Sequence, residues 1–328
     1  MRVLFIGGTG VISSACTELC VKRGFDLSIL NRGQTRRPVP DNIKILRADI
    51  RNPQQIKSTL QNQVYDVVVD WIAYTVEHVK NDYALFKDIT SQFIFISSAS
   101  VYQKPPSRIP IRETEPLRNP IWEYSRNKID CEQFLFKMLR KQNFPVTIVR
   151  PSHTYDRTKI ALSGGYTALN RIREGKKVII HGDGTSLWTL THHRDFAEGF
   201  IALLGNLKAI GEAYHITSDE VLTWNQICSI FAETMGVQPN IVHIPSDFIY
   251  RFDKTWGEGL LGDKAHSMIF DNTKIKQLNP EFRSKILFKE GVKEIIAWYD
   301  EKPIRRTIDK TWDLKMDEII SRFESISI

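Results

Sequence analysis

A phenol and an ammonium spaced to meet on one helix face are the first residues of this chain that invite chemistry: Tyr124 and Lys128. Four residues apart on a helix, they share a face. A phenol titrates near 10 and is a poor base at neutral pH, but a neighbouring ammonium favours its phenolate and moves it toward the working range. Upstream, the run Ser97, Ser98, Ala99, Ser100 follows the apolar stretch Phe93 to Ile96. Its hydroxyls are therefore expected at the carboxyl end of a buried strand, where open α/β sheets gather their ligands.

The elements that must position these groups begin at the N-terminus. Val3, Leu4, Phe5 and Ile6 form an unbroken apolar segment that stops at Gly7, Gly8 and Gly10, and a helical pattern starts near Val11. This reads as a strand buried on both faces, a tight turn and a helix start. Gly7 and Gly10, without Cβ, let backbone N–H groups approach an anion at which the helix also aims its positive end. The ligand predicted here is a dinucleotide pyrophosphate, held by Gly7, Thr9, Gly10, Val11 and Ile12. Ser13 stands where the dinucleotide fingerprint has its third Gly or Ala, and is small enough for close helix–strand packing. The second strand, Asp26 to Leu30, ends at Asn31 and Arg32, where an NAD site places an acidic residue on the ribose. Asn31 can still bond a ribose hydroxyl. Arg32, with Arg36 or Arg37 behind it, suits a 2′-phosphate, so the loop favours NADP over NAD.

In order, the first half of the chain alternates strand and helix. Helix Val11 to Arg23 stops at Gly24; a strand spans Ile43 to Leu46; Asn52 and Pro53 open a short helix; a strand runs from Val64 to Ile72, a helix from Val76 to Ile89, and a strand from Phe93 to Ile96. Repeated βαβ units imply an α/β fold, a Rossmann-type doubly wound parallel sheet. Further on come strands over Phe144 to Val149, Lys177 to Ile180 and Ala213 to Ile216. Helices are expected over Tyr166 to Glu174, Asp195 to Leu204, Thr273 to Leu278, Glu290 to Tyr299 and Lys310 to Glu324, with another opened by the capping box Thr223 to Gln226. The expected division is a dinucleotide-binding domain over 1–165, completed by about 194–217, and a smaller C-terminal substrate lobe with closing helices over 166–328.

Taken together and in this order, the glycine turn, the serine run and the Tyr124 and Lys128 pair resemble the short-chain dehydrogenase/reductase superfamily, specifically its extended branch of NAD-dependent sugar epimerases and dehydratases. The resemblance covers most of the chain. It implies a catalytic triad of Ser98, Tyr124 and Lys128, an adenine contact at Asp49 and Ile50, and a cofactor lining by Trp71, Ile72 and Ala73. It also places Arg150, Pro151, Ser152 and His153 beside the nicotinamide, with Ser98, Ser100, His153 and Trp188 facing substrate. After the segment His181 to Gly184 that branch supplies an arginine for a nucleotide diphosphate. Here Trp188 holds its place, and an indole can instead stack on a sugar or a base.

The implied function is an NAD(P)-dependent oxidoreductase or epimerase acting at a carbinol carbon of a sugar or nucleotide-sugar-like substrate. Dehydratase chemistry is disfavoured, because the serine segment lacks the acidic pair such enzymes carry there. A second reading is a non-catalytic or RNA-binding relative, since Asn31, Arg32, Gly33 and the run Leu190 to Asp195 resemble atypical superfamily members of plastids that associate with RNA. A homodimer through the Tyr124 helix is implied by the same resemblance.

Composition narrows the rest. With 328 residues, 42% hydrophobic and 25% charged, the chain suits one large α/β domain with a smaller lobe. The net charge of +7 comes from 45 basic and 38 acidic residues that are interspersed rather than gathered in a stripe, so nucleic acid is not the expected partner. The first strand begins at Val3, leaving no room for a secretory signal, and no apolar run spans a bilayer; a cytoplasmic location is expected. Cys16, Cys20, Cys131 and Cys228 have no zinc spacing and read as free thiols. His192 and His193 are unaccompanied by carboxylates or cysteines at ligand spacing, so no metal is expected.

Overall fold

The computed structural model describes residues 1–34 and 37–326. Its first half runs β1 (Arg2–Ile6), α1 (Val11–Lys22), β2 (Asp26–Asn31), β3 (Lys44–Arg47), α2 (Pro53–Thr59), β4 (Tyr65–Asp70), α3 (Val76–Phe86), β5 (Thr90–Ile96), α4 (Glu123–Gln142) and β6 (Val146–Pro151). Then follow β7 (His153–Tyr155), α5 (Tyr166–Arg173), β8 (Lys177–His181), β9 (Leu187–Trp188), β10 (Leu190–His192), α6 (His193–Ile201), β11 (Ala213–Ile216) and β12 (Leu222–Thr223). The chain closes with α7 (Trp224–Thr234), β13 (Asn240–Ile244), α8 (Ser246–Phe252), α9 (Lys254–Gly259), α10 (Thr273–Leu278), α11 (Phe288–Glu301) and α12 (Lys310–Ile326).

Seven parallel strands form the central sheet in the order β11, β6, β5, β4, β1, β2, β3. The sheet is doubly wound, as the βαβ alternation requires. Strand periodicity splits each central strand between two hydrophobic layers. Val3 and Phe5 on β1 join Ala15, Cys16, Phe196 and Phe200 of α1 and α6, whereas Leu4 and Ile6 join Ile56, Val79, Phe86 and Leu135 of α2, α3 and α4. Burial on both faces explains why β1 and β4 read as continuous apolar runs rather than alternating ones.

A third hydrophobic cluster builds the lobe from α5, α7, α8, α11 and α12, and takes in Ala99, Tyr102 and Ile111 from the segment after β5. Three small two-stranded sheets frame it: β10 with β7, β12 with β9, and β13 with β8. The capping box at Thr223 is present, its hydroxyl accepting from Gln226 N–H while the Gln226 amide oxygen accepts from Thr223 N–H. The ends of several expected elements move. The strand expected over Val64 to Ile72 stops at Asp70, because the Asp70 carboxylate turns the chain by accepting from the N–H groups of Ile72 and Ala73 at 2.5 and 2.8 Å. The helix expected to reach Ile89 ends at Phe86 and β5 begins at Thr90. Among the described residues no helix is long and apolar enough to cross a membrane.

Candidate functional site

The β1–α1 turn is shaped for close approach. Gly7 has φ +101°, and a Cβ there would meet the Ile72 side chain at 3.0 Å, so the turn admits only glycine without displacing its neighbour. Gly10 caps α1, and its N–H donates to the Ser13 hydroxyl at 2.8 Å. That bond accounts for a serine at the third fingerprint position: the side chain is buried and holds the turn. The first N–H groups of α1 have no carbonyl behind them to bond, and their orientation favours an anion. A groove of about 500 Å³ runs from this turn past the ends of β2 and β3, lined by Gly7, Thr9, Asn31, Arg32, Asp49, Ile50, Arg51, Ile72 and Tyr74. The bare glycine edge, helix start and elongated groove fit a dinucleotide.

At the far end of the groove Arg32 stands 3.8 Å from the Asp49 carboxylate, with both side chains solvent-accessible. Arg47 donates to the Asn31 side-chain oxygen at 3.0 Å and lies against Gly33. Arg37 turns away from this end: it pairs with the buried Asp156 at 2.5 Å and donates to Ser14 and Thr158. Arg36 lies outside the described residues.

Lys128 sits on α4 one turn after Tyr124 and is almost wholly buried. Its ammonium donates to the carbonyls of Ala73 and Ile96, both at 2.7 Å. Three rings surround it, Tyr74 and Phe95 at 4.8 Å and Tyr124 at 5.8 Å from ammonium to centroid. Burial lowers its pKa from 10.5 to about 8, against the opposing pull of Cys131, Asp70 and Glu132. The unfolded chain therefore holds a proton between about pH 8 and pH 10.5 that the folded chain has released, so stability gains from this group as pH rises through that window and the cost of burying the ammonium is in force below it. Denaturation midpoints measured below and above pH 8 should rise more in the wild type than in Lys128→Met.

Tyr124 behaves differently from expectation. Burial pushes its phenol up to about 12, opposed first by the Ser98 hydroxyl, and Lys128 contributes no lowering that overcomes it. In the protein alone the phenol is protonated at neutral pH, a donor rather than a base. Ser98 is held in place by a chain of hydroxyls: Ser98 and Ser100 lie 2.9 Å apart, and Ser125 donates to Ser100 at 2.7 Å. Asn119 anchors the same segment by donating to the Ser100 carbonyl.

Ser98, Ser100 and Tyr124 line a second and larger cavity of about 700 Å³, walled also by Trp122, Pro151, His153, Lys159, Trp188, Asp263, Lys264 and Tyr299. Its walls come from both the sheet ends and the lobe. His153 is kept neutral, with its pKa lowered to about 3 by burial and by the nearby Lys264 and Lys159 ammonium groups. Lys104 faces Asp263 at 3.5 Å.

Among the other residues expected here, Val11 and Ile12 open α1 half-buried, and Ala73 is buried with its carbonyl on Lys128. The Trp71 ring goes elsewhere: it packs on Phe200 and Phe5, at 4.9 and 5.3 Å between centroids, so only its Cβ borders the glycine turn. Arg150, expected beside the nicotinamide, is turned into the core instead. Its guanidinium is buried against Glu132 at 2.6 Å and donates to the Glu113 carbonyl and the Tyr102 hydroxyl. His192 is buried and His193 half-buried, both with depressed pKa values, and no cluster of metal-ligating groups exists among the described residues. All four cysteines are free and buried. Sequence reasoning missed Asp70, Arg51, Trp122, Asp263 and Lys264. An acid ending the run Val67, Val68, Val69 was a signal for Asp70; the others sit in segments without a pattern.

The model of the NAD dependent epimerase/dehydratase family matches residues 3–217. Among curated proteins, the chain is 26% identical over 329 residues to a UDP-N-acetyl-alpha-D-glucosaminuronate decarboxylase of Bacillus cytotoxicus, covering 92% of this chain and 98% of that protein. It is 25% identical over 262 residues to the chloroplast stem-loop binding protein of 41 kDa b of Arabidopsis thaliana, covering 75% and 67%. Among solved structures, the epimerase Mth375 of Methanothermobacter thermautotrophicus superposes with a TM-score of 0.76 at 19% identity, over 93% of this chain and 94% of that one. A UDP-glucose 4-epimerase of Thermus thermophilus in complex with NAD gives 0.72 at 20% identity, over 92% and 99%. With a glycine cradle on β1–α1, seven parallel strands behind it and a family match spanning the whole sheet, this chain belongs to the NAD dependent epimerase/dehydratase family and is an enzyme of it.

Proposed function

We propose that the protein is an NAD(P)-dependent oxidoreductase or epimerase that acts at a carbinol carbon of a sugar or nucleotide-sugar-like substrate, with Tyr124 as its acid/base. One observation carries the reading. Lys128 joins the two cavities: it donates to Ala73 between the groove residues Ile72 and Tyr74, while its ring neighbour Tyr124 and the partner hydroxyl of Ser98 line the larger cavity. A nicotinamide bound across this junction supplies hydride chemistry. The chain's own residues do the rest. Ser98 donates to the substrate oxygen, Tyr124 gives or takes its proton, and Lys128 with the Ala73 and Ile96 carbonyls fixes the phenol's surroundings.

The screen that tests this loads the protein with NAD or NADP, offers free sugars, sugar acids and nucleotide sugars, and follows reduced-nicotinamide absorbance and product stereochemistry. A substrate turned over by wild type and not by Tyr124→Phe supports the assignment; turnover that survives the change overturns it. Lys128→Ala should lower both turnover and cofactor affinity, non-additively with Tyr124→Phe, since the ammonium touches the phenol's ring and the groove wall together.

NADP is the proposed preference, supported by two arginines at this end of the groove, Arg32 reaching toward Asp49 and Arg47 bonded to Asn31. The Arg32 contact with Asp49 is long and solvent-screened, leaving the guanidinium able to pivot to a 2′-phosphate. Arg32→Ala should weaken NADP by about 1.5–3 kcal/mol and leave NAD nearly unchanged. Titration calorimetry with both cofactors reads this; equal losses would remove the phosphate role.

The likeness to a chloroplast stem-loop binding protein favours a second reading, an RNA-binding relative. RNA affinity that persists at moderate salt together with no dinucleotide uptake would put that reading first.

A further inference from the structure

Trp188 makes two contacts that together define one wall of the larger cavity. Its indole N–H donates to Nδ1 of His153 at 3.2 Å. An indole nitrogen offers a hydrogen and no lone pair, so Nδ1 must be the acceptor and the proton of the neutral imidazole resides on Nε2. Nε2 finds no hydrogen-bond partner among the described residues, and His153 lines the cavity. On the face of the indole stands the Lys264 ammonium, 6.0 Å from the Trp188 centroid and 5.3 Å from that of Trp122. Its nearest protein acceptor is the Gly259 carbonyl at 3.5 Å, and no carboxylate pairs with it among the described residues, the adjacent Asp263 facing Lys104 instead.

An imidazole N–H with no acceptor among the described residues, an ammonium whose one hydrogen bond among them is the long one to Gly259, and two indole rings meet on one wall of the cavity. Lys159 adds a second ammonium to the same wall. A group that satisfies all of them is an oxyanion attached to a flat, partly apolar ring.

We propose that the substrate is a sugar carrying its own carboxylate or phosphate, received by Lys264 and by the Nε2–H of His153, with Trp188 as the positioning residue that holds the imidazole in its Nε2–H form. The inference rests on the cavity being the substrate site. Trp188 does not touch the reacting carbon in this arrangement; it orients the donor and, with Trp122, covers the sugar ring.

The test uses the full chain loaded with NADP or NAD, and cofactor uptake is measured first. D-Glucuronate, D-glucose 6-phosphate and D-glucose are then titrated by calorimetry. At least one charged sugar should bind about tenfold or more tightly than glucose, and which one does distinguishes a carboxylate from a phosphate. Lys264→Gln should weaken that sugar by about 10- to 100-fold and leave glucose unchanged, while Lys264→Arg keeps most of the affinity. Trp188→Phe retains an aromatic face but loses the N–H; it should weaken the charged sugar alone, with the denaturation midpoint as a check on folding. Equal affinity for charged and neutral sugars, absence of binding by any of them, or a preference for charge that survives Lys264→Gln would overturn the proposal. Failure to take up a dinucleotide is a different result, since it removes the site reading on which the proposal stands.

Discussion

Tyr124→Phe should cost roughly 10²–10⁴ in turnover on the true substrate while cofactor affinity and folding stay near wild type. The ring is flanked by Trp122 at 4.9 Å and Tyr74 at 6.3 Å, and both contacts survive loss of the hydroxyl. What disappears is the phenol hydroxyl that lies against Ser98 on the cavity wall and can exchange a proton with a substrate oxygen. Because burial holds the phenol up at about 12, a neutral phenol is the resting form, and reduction of a carbonyl needs no prior ionisation of Tyr124. Oxidation of a carbinol does need it. The oxidative direction should therefore gain rate as pH rises toward that value, whereas the reductive direction should be nearly flat across neutral pH. Initial rates in both directions against pH, with Tyr124→Phe as the baseline, check this.

The second large effect concerns stability. Glu132 accepts from Arg150 at 2.6 Å and from the Ser97 hydroxyl at 2.5 Å, and both charged side chains are almost wholly buried. Glu132→Gln leaves the Arg150 guanidinium in the core without its counter-charge, at a cost of about 3–5 kcal/mol. A urea midpoint lowered accordingly is the expected result. Glu132→Gln combined with Arg150→Met should recover part of the loss, because the buried charge itself is then gone. A single variant as stable as wild type would mean that water reaches this pair. The pair also matters for the site: Ser97 precedes Ser98, and the carbonyl of Ile96 holds Lys128.

The parts legible in the sequence are those carried by local pattern. Val3 to Ile6 announces β1 because every side chain is buried, Gly7 announces the turn because its φ of +101° excludes other residues, and Tyr124 and Lys128 announce themselves because helical spacing alone brings them together. The illegible parts are contacts between distant segments. Lys264 reaches the cavity from a π-helical turn that continues α9, a stretch with no periodic signal, and meets Trp122 and Trp188 only after the lobe closes. The hydrogen bond between Trp188 and His153 joins residues 35 apart on different small sheets. Electrostatics escaped in the same way. Lys128 was expected to acidify Tyr124 from its position on the helix, but the burial of both groups, which depends on α3, β5 and the lobe, decides the phenol's pKa. Arg37, one of the basic residues expected to back the ribose end, is drawn instead to Asp156.

The central claim is that one dinucleotide, cradled at Gly7 and Gly10, presents its reacting ring to Tyr124 and Ser98. A crystal structure of the NADP or NAD complex tests it most directly. The account predicts the pyrophosphate on the β1–α1 turn, the ribose beside Lys128, and the nicotinamide at the junction of the two cavities with its C4 facing the space bounded by Tyr124, Ser98 and His153. A nicotinamide directed away from that space, or a cradle that takes up no dinucleotide at saturating concentration, would contradict it.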